Sequence, residues 1–270
     1  RKSKKVIMSK YFSTTIVPDI INGDVSDVIG NQVPAATDAA FGANDILFDW
    51  VEFDIPRGAS KLSSIMIYMM GEDGGPQDGV GSVDVGLLFA KTENGVAPTS
   101  LGSNNATQVA GFDMPTHLIG ATTLNVTDND GGHVFGPAFG TISISGAIGN
   151  NESWSPIILQ GEPNTGTITG FDKIYVAAFC KAGIDFSTGV KPTAQAATST
   201  DTIAVDGVDP RKCFQIGDTV YTNTDDTPLG TVKSLTDSSI VLNANLAAQV
   251  EDNEEIVNAN PIRMTLGFEQ

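Results

Sequence analysis

The sequence is poor in histidine, cysteine and aromatic residues, and these shortages exclude several classes of function. It has two histidines, two cysteines and only 7% aromatic residues among 270. His117 and His133 have no partner at metal-ligand or triad spacing, and Cys180 and Cys213 cannot form a disulfide framework. No nucleophile elbow or phosphate-binding glycine loop is present. The sequence therefore predicts no enzyme activity and no cofactor.

Long apolar runs are also missing. No stretch approaches the length of a membrane span, and no apolar segment follows the basic first ten residues as a secretion signal would require. Cys180 lies in the apolar run 175–180, which predicts a buried free thiol. We therefore expect a protein that is made in a reducing cytoplasm and has no membrane partner.

Basic residues are scarce and unevenly placed. The chain has 15 basic and 32 acidic residues, and five of the basic ones lie in the first ten positions, which hold no acid. The remaining 260 residues carry ten basic against 32 acidic residues, a net charge of -22. This acidic body argues against nucleic acid as a direct partner, because phosphate contacts need clustered Lys and Arg.

The basic arm has two interpretations. It is either a solvated terminus or a tether onto an acidic neighbour, such as another copy of this chain. Under the second interpretation its five basic residues are the candidate partner-binding residues. They are Arg1, Lys2, Lys4, Lys5 and Lys10.

Glycine and proline are plentiful, with 29 and 13 residues, and they separate short segments of alternating apolar and polar residues. Residues 46–55 and 62–70 show this alternation, and Asn94-Gly95 is a hairpin-turn signal. No segment shows a sustained 3.6-residue period, although short helical turns are possible near 37–41 and 246–250. We predict an all-β protein whose first domain is a jelly-roll-like β-sandwich.

The last third of the chain predicts a second unit. Residues 191–202 are rich in Ala, Thr and Ser and predict a linker. Residues 198–260 predict a small SH3-like β-barrel, and the alternating segment 262–268 predicts a strand that returns to the sandwich. The barrel would then be inserted before the last strand. The predicted domains are an arm (1–12), a sandwich (13–192, with return strand 261–270) and a barrel (198–260).

Two weaker signals concern ligands. Asp128 and Asp130 lie in an Asx-rich, glycine-rich loop, which is one pattern of a calcium loop. The same residues are ordinary turn formers, and no Glu follows at EF-hand spacing, so we assign no metal site. Trp50 and Trp154 could stack on sugars. The alternating strand around Trp50 favours a core position, whereas Trp154 follows a polar turn and is the better candidate for exposure.

The segment 214–242, continuing to Pro261-Ile262-Arg263, resembles the small β-modules in structural proteins of tailed bacteriophages, especially T4-like marine cyanophages. The segment 53–59 (Phe-Asp-Ile-Pro-Arg-Gly-Ala) in the first domain is compatible with that group. The resemblance implies a non-enzymatic virion component that assembles in many copies in the host cytoplasm. It implies no functional residues.

Several positions in a virion remain open. The absence of a long helix argues against a main shell protein of a tailed phage, and the absence of shaft repeats argues against a long fibre. A capsid decoration or cement protein fits best, bound to capsid proteins and to itself as a homo-oligomer, with a trimer favoured. The alternatives are a jelly-roll shell, neck, tail or vertex protein, or a carbohydrate-binding adhesin module. A hydrolase ranks third among the classes.

Overall fold

The computed structural model describes residues 10–21, 41–70, 85–104, 106, 114–124, 139–143, 157–181 and 186–270. Within these ranges the chain forms antiparallel β-strands, one turn of α-helix, α1 (Met114–His117), and one 3₁₀ turn (Pro210–Lys212). The predicted all-β class is confirmed. The strands are β1 (Tyr11–Ile16), β2 (Ile46–Asp54), β3 (Ser60–Met69), β4 (Val85–Ala90), β5 (Leu118–Leu124), β6 (Phe139–Ser143), β7 (Ile158–Leu159), β8 (Glu162–Thr165), β9 (Ile168–Gly170), β10 (Lys173–Cys180), β11 (Val190–Pro192), β12 (Thr202–Gly207), β13 (Thr219–Thr222), β14 (Asp225–Leu235), β15 (Ser239–Leu242), β16 (Ile256–Asn258) and β17 (Ile262–Glu269).

Two antiparallel sheets make up the sandwich. The first has the order β1-β17-β3-β6, with β7 also paired to β3, and the second has the order β2-β10-β4-β5. The pairs are nested, because β1 pairs with β17, β2 with β10, β3 with β6 and β4 with β5. A long hairpin folded back on itself produces this nesting, which is the topology of a jelly roll. The predicted jelly-roll sandwich is therefore confirmed.

The sandwich core follows from the two-residue period of its strands. In β17, alternate residues Ile262, Met264, Leu266 and Phe268 are at most 1% exposed, while the residues between them are partly exposed. Their partners on β3 are also buried, and the ring of Phe268 stacks on that of Phe53 from the second sheet, 6.1 Å away. The inner faces of both sheets thus share one hydrophobic core.

The barrel is inserted between β10 and β17, as predicted. Its strand order is β11-β12-β15-β14-β13-β16, and β11 approaches β16, so that the six strands nearly close. It has a separate hydrophobic core built on residues such as Phe214, Val232 and Ile240. Tyr221 and Val257 instead join the sandwich core, so the barrel also packs against the sandwich.

The predicted linker is wrong, because residues 190–202 belong to the barrel, which begins before residue 198. Val190 and Pro192 are buried and pair with β12. Ala196 and Val250 exchange backbone hydrogen bonds of 2.9 and 3.0 Å. Backbone hydrogen bonds hold this segment to the barrel while most of its Ala, Thr and Ser side chains are exposed, so its composition imitates that of a flexible linker.

Smaller corrections concern element boundaries. The arm was predicted to reach residue 12, but the backbones of Lys10 and Gln270 already exchange hydrogen bonds of 3.3 and 3.0 Å, and β1 starts at Tyr11. Residues 246–250 form no helix. The hairpin of β8 and β9 was not predicted. The arm residues 1–9, the possible turn at 37–40 and the loop with Asp128 and Asp130 lie outside the described residues.

Candidate functional site

Strand β17 runs from one end of the sandwich to the other. It begins at Ile262, next to the barrel, and ends at Glu269, which pairs with Tyr11. Eight residues of extended strand span roughly 25 Å. We call the distal end the arm end and define it as residues 10–11, 52–61, 90–96, 117–119, 158–173 and 268–270. The basic arm therefore joins the sandwich at the end opposite the barrel.

The arm end is much less acidic than the rest of the body. It contains five basic and six acidic residues, whereas residues 11–270 together carry a net charge of -22. The arm adds four more basic residues before Lys10. The chain is thus polarised, with a basic end and an acidic remainder. The basic residues of the arm end are Lys10, Arg57, Lys61, Lys91 and Lys173, and the acidic ones are Glu52, Asp54, Glu93, Glu162, Asp172 and Glu269.

Ion pairs engage part of this charge. Lys173 contacts Glu52, and the Tyr175 hydroxyl donates to the same carboxylate at 2.9 Å. The bond from Lys173 lowers the pKa of Glu52, while burial and the neighbouring carboxylate raise the pKa of Tyr175 to about 12. Lys61 Nζ lies 3.8 Å from Glu269 Oε2. These half-exposed pairs orient side chains and contribute little stability.

Glu162 fixes the local backbone of the arm end. Its carboxylate accepts hydrogen bonds from the backbone N–H groups of Gly95 (2.8 Å) and Asn94 (2.6 Å) and from Thr92 Oγ1 (2.9 Å). These donors, Gly95 first, lower the pKa of Glu162. The carboxylate therefore holds the Asn94-Gly95 turn against the β8–β9 hairpin. Its acceptor sites serve structure rather than proton transfer.

A shallow groove of about 410 Å³ lies beside this hairpin. Its lining mixes apolar side chains with a lysine and a glutamine. Gly161 is required here, because a Cβ would lie 2.3 Å from the Gly170 carbonyl oxygen. The groove could accept an apolar side chain of a partner, but its lining offers no acid–base pair. It is lined by Lys91, Ile119, Ile158, Gln160, Gly161 and Pro163.

The outer edge of β1 is the second feature of the arm end. Among the described residues, β1 pairs with β17 alone. Lys10 and Gln270 form a hydrogen-bonded pair, and such pairs alternate along an antiparallel ladder. The N–H and C=O groups of Tyr11, Ser13 and Thr15 therefore point away from β17, to the outer edge. Tyr11 is 73% exposed and Phe12 38%.

The predicted partner-binding residues are only partly described. Lys10 is exposed and lies at the arm end, as the tether interpretation requires, whereas Arg1, Lys2, Lys4 and Lys5 lie outside the described residues. The sequence allows strands near the termini to extend a neighbour's sheet, but it does not show which strands are outermost, so only the structure identifies the β1 edge. The alternation from Tyr11 to Ile16 was its only signal.

The other residues that the sequence singled out have structural surroundings. His117 Nδ1 lies 2.9 Å from the Lys91 carbonyl oxygen and the residue is buried. Trp50 is only half-buried: it packs against a small cluster of Ile46, Leu101 and Ala177 outside the sandwich core and donates from Nε1 to the Thr99 carbonyl oxygen at 2.9 Å, so the predicted core position is not confirmed. Burial raises the pKa of the Cys180 thiol to about 12.

The described residues contain no group of three or more His, Cys, Asp or Glu side chains that could hold a metal ion. Asp128, Asp130, His133 and Trp154 lie outside those residues. None of the described helices is long and apolar enough to cross a membrane.

A buried polar cluster joins the barrel to the sandwich at the opposite end. The Asp218 carboxylate accepts from the Gln215 backbone N–H (2.7 Å) and from Asn258 Nδ2 (2.9 Å), and it pairs with Arg263 on β17. Arg263 Nε also donates to Gln215 Oε1 at 2.5 Å. Burial raises the pKa of Asp218 despite these donors. The cluster has the character of a structural junction, because the Gln215 backbone, Asn258 and Arg263 all donate to protein acceptors.

No protein-family model matches the chain, and no curated protein matches it at a significant level. The fold and the arm end therefore carry the functional argument.

Proposed function

We propose that the protein is a non-enzymatic structural subunit of a virion, most similar in role to a capsid decoration or cement protein that binds the outside of a phage head as a homo-oligomer. The observation that carries this proposal is the polarity of the molecule. A basic arm leaves an open-edged jelly roll at its least acidic end, while the rest of the body is strongly acidic. Jelly rolls are common in viral capsid domains.

The proposed mechanism is mechanical. The basic arm of each subunit is attracted to acidic surfaces of its neighbours, and this electrostatic attraction aligns the subunits on the particle. Shallow contacts at the β1 edge and the groove are individually weak. Repetition over a symmetric particle makes them strong together, because each bound subunit holds its neighbours at a high effective concentration.

Jelly rolls also occur in lectins, so the fold alone does not distinguish a virion subunit from a glycan-binding module. The charge polarity favours a protein surface, because a neutral glycan gives a basic arm nothing to attract. The half-buried indole of Trp50 is engaged by Thr99 and Leu101, which removes one aromatic platform for sugar stacking.

The test is the copy number of the chain in purified virions, measured by quantitative mass spectrometry relative to the main shell protein. A number comparable with that of the shell protein supports a decoration or shell role. A few copies per particle would move the protein to the neck, tail or vertex. Its absence from virions would refute the proposal and favour the adhesin and enzyme classes.

A second experiment tests the arm. Virions or shells that lack this protein are mixed with the full chain, with a chain lacking residues 1–9, and with a variant that keeps the arm but has Lys2, Lys4 and Lys5 replaced by Gln. We expect both variants to attach less well, and the attachment of the full chain to weaken with added salt. Equal attachment of all three proteins would exclude the arm as the tether.

A further inference from the structure

Within the described part of the chain, the outer edge of β1 lacks the devices that keep an exposed strand from pairing. Natural edge strands are protected by lysine, proline, bulges or a covering segment. β1 has the sequence Tyr-Phe-Ser-Thr-Thr-Ile, with no charged residue and no proline, and its register against β17 is uninterrupted. An uncharged, regular edge with two exposed aromatic residues is suited to another strand.

The geometry of this edge is symmetric. The outward N–H and C=O groups belong to Tyr11, Ser13 and Thr15, so they are evenly spaced about Ser13. In an antiparallel pair of two such strands, each outward residue meets an outward residue of the other strand. Ser13 then lies opposite Ser13, and Tyr11 lies opposite Thr15.

We propose that β1 of one copy pairs antiparallel with β1 of a second copy, about a twofold axis that passes between the two Ser13 residues. The inference rests on the homo-oligomer of the proposed function and specifies its contact. The pairing joins the first sheets of two sandwiches into one continuous sheet. It is isologous, since the same surface of both copies is used, and it is complete with two copies. It replaces the expected trimer by an even-numbered assembly.

Side chains support this register. On the outer face, Tyr11 of one copy lies beside Thr15 of the other, and an aromatic next to a β-branched residue is a favourable cross-strand pair. On the face toward the core, Phe12 lies opposite Thr14. The 73% exposed Tyr11 and the 38% exposed Phe12 both lose contact with water. Burial of apolar surface therefore adds to the backbone hydrogen bonds.

Charge also favours a second copy as the occupant. In the antiparallel pair, the residues before Tyr11 of one copy run beside the residues after Ile16 of the other. The former carry five basic residues and no acid. The latter begin with Val17-Pro18-Asp19, and the sequence holds no basic residue until Arg57. The chain before Tyr11 thus carries only basic charge, while the first charged residue after Ile16 is acidic, so the two sequences are complementary in charge at both ends of the contact.

A single cysteine tests this register. Opposed residues of a hydrogen-bonded antiparallel pair have Cα atoms about 5.5 Å apart, which suits a disulfide. In the proposed dimer the two Ser13 residues face each other, whereas the two Thr15 residues are four positions apart, roughly 14 Å. Cys180 and Cys213 are buried and do not interfere. Ser13→Cys should therefore cross-link under a mild oxidant, and Thr15→Cys should not.

Non-reducing electrophoresis and intact mass reveal the product. Nearly complete Ser13→Cys dimer with little Thr15→Cys dimer supports the proposal. Equal cross-linking of both variants, or none in either, overturns it. If Ser13→Cys fails to fold, Ser13→Pro is the second variant, because it removes one outward N–H and leaves the bonds to β17 in place. By light scattering, we expect the unmodified chain to be an even-numbered oligomer and Ser13→Pro to be a monomer.

The outcomes separate this inference from the proposed function. A monomeric or odd-numbered unmodified chain would overturn the twofold pairing. Abundance of the same chain in purified virions would still support the virion role. Conversely, a cross-linked dimer of a chain that is absent from virions would keep the pairing and refute the virion role.

Discussion

Removal of residues 261–270 should unfold the sandwich although it leaves the barrel sequence whole. Strand β17 is the last in the chain but lies inside the first sheet, between β1 and β3. A truncation after Asn260 therefore deletes a central strand. If the barrel were an appendage, the same truncation would remove only a loose tail.

The expected loss is large. Ile262, Met264, Leu266 and Phe268 are 0–1% exposed. Burial of such a side chain contributes about 1.5–3 kcal/mol, so the four together contribute about 6–12 kcal/mol before any backbone hydrogen bond is counted. The whole stability of a domain is about 5–15 kcal/mol. The truncated sandwich should therefore be unfolded, or nearly so, at room temperature.

Tryptophan fluorescence measures this effect selectively, because both tryptophans precede the barrel in sequence. In a Trp154→Phe background, the remaining Trp50 reports on the sandwich through its contact with Leu101. We expect its emission to be red-shifted in the truncated chain, with no cooperative transition in urea. Far-UV circular dichroism should retain a transition from the barrel, which keeps its own core.

Two point variants control for non-specific effects of truncation. Leu266→Ala, on the buried face of β17, should cost about 2–5 kcal/mol, whereas the adjacent Thr265→Ala, on the outer face, should cost less than about 1 kcal/mol. A truncated chain that keeps the Trp50 emission and the urea midpoint of the full chain would refute the central position of β17.

Three further outcomes are expected. The pKa of the Asp218 carboxyl is raised above its ordinary 3.8, so its favourable contribution to folding stability is complete below that pH and is lost as pH rises through the higher folded pKa. The Tm of the wild type minus that of Asp218→Asn should therefore increase as pH falls from 7 towards 4. A difference in Tm that stays constant with pH would contradict this. A Cβ on Gly86 would lie 2.1 Å from the Phe179 ring, so Gly86→Ala should lower stability by about 1–3 kcal/mol in urea titrations, and an unchanged midpoint would show that the ring moves freely. Cys180 and Cys213 are buried, so thiol reagents should label neither in the native protein and both after unfolding; rapid native labelling would mean that the thiols are accessible.

The sequence predicted much of the fold because strand alternation is local. Residues 262–268 alternate strictly, and their return to the sandwich followed from that alternation after a compact unit. The prediction of a linker at 191–202 was wrong because that segment is defined by distant contacts rather than by a local pattern. Ala, Thr and Ser suit both a flexible linker and an exposed segment whose backbone is bonded to a barrel, and the backbone pairing of 190–192 with β12 and of Ala196 with Val250 distinguishes the two.

In the candidate site, too, some features follow from local sequence and others from distant contacts. By itself the sequence determined the basic arm, the acidic body, the strands and the scarcity of His and Cys, because composition and the two-residue period require no knowledge of distant contacts. Only the tertiary structure decided that β1 lies at an open edge, that the arm leaves from the end opposite the barrel, and that Glu162 and Asp218 are held by partners far along the chain. These features depend on the pairing of strands up to about 250 residues apart, such as β1 with β17, and local patterns do not encode such pairing.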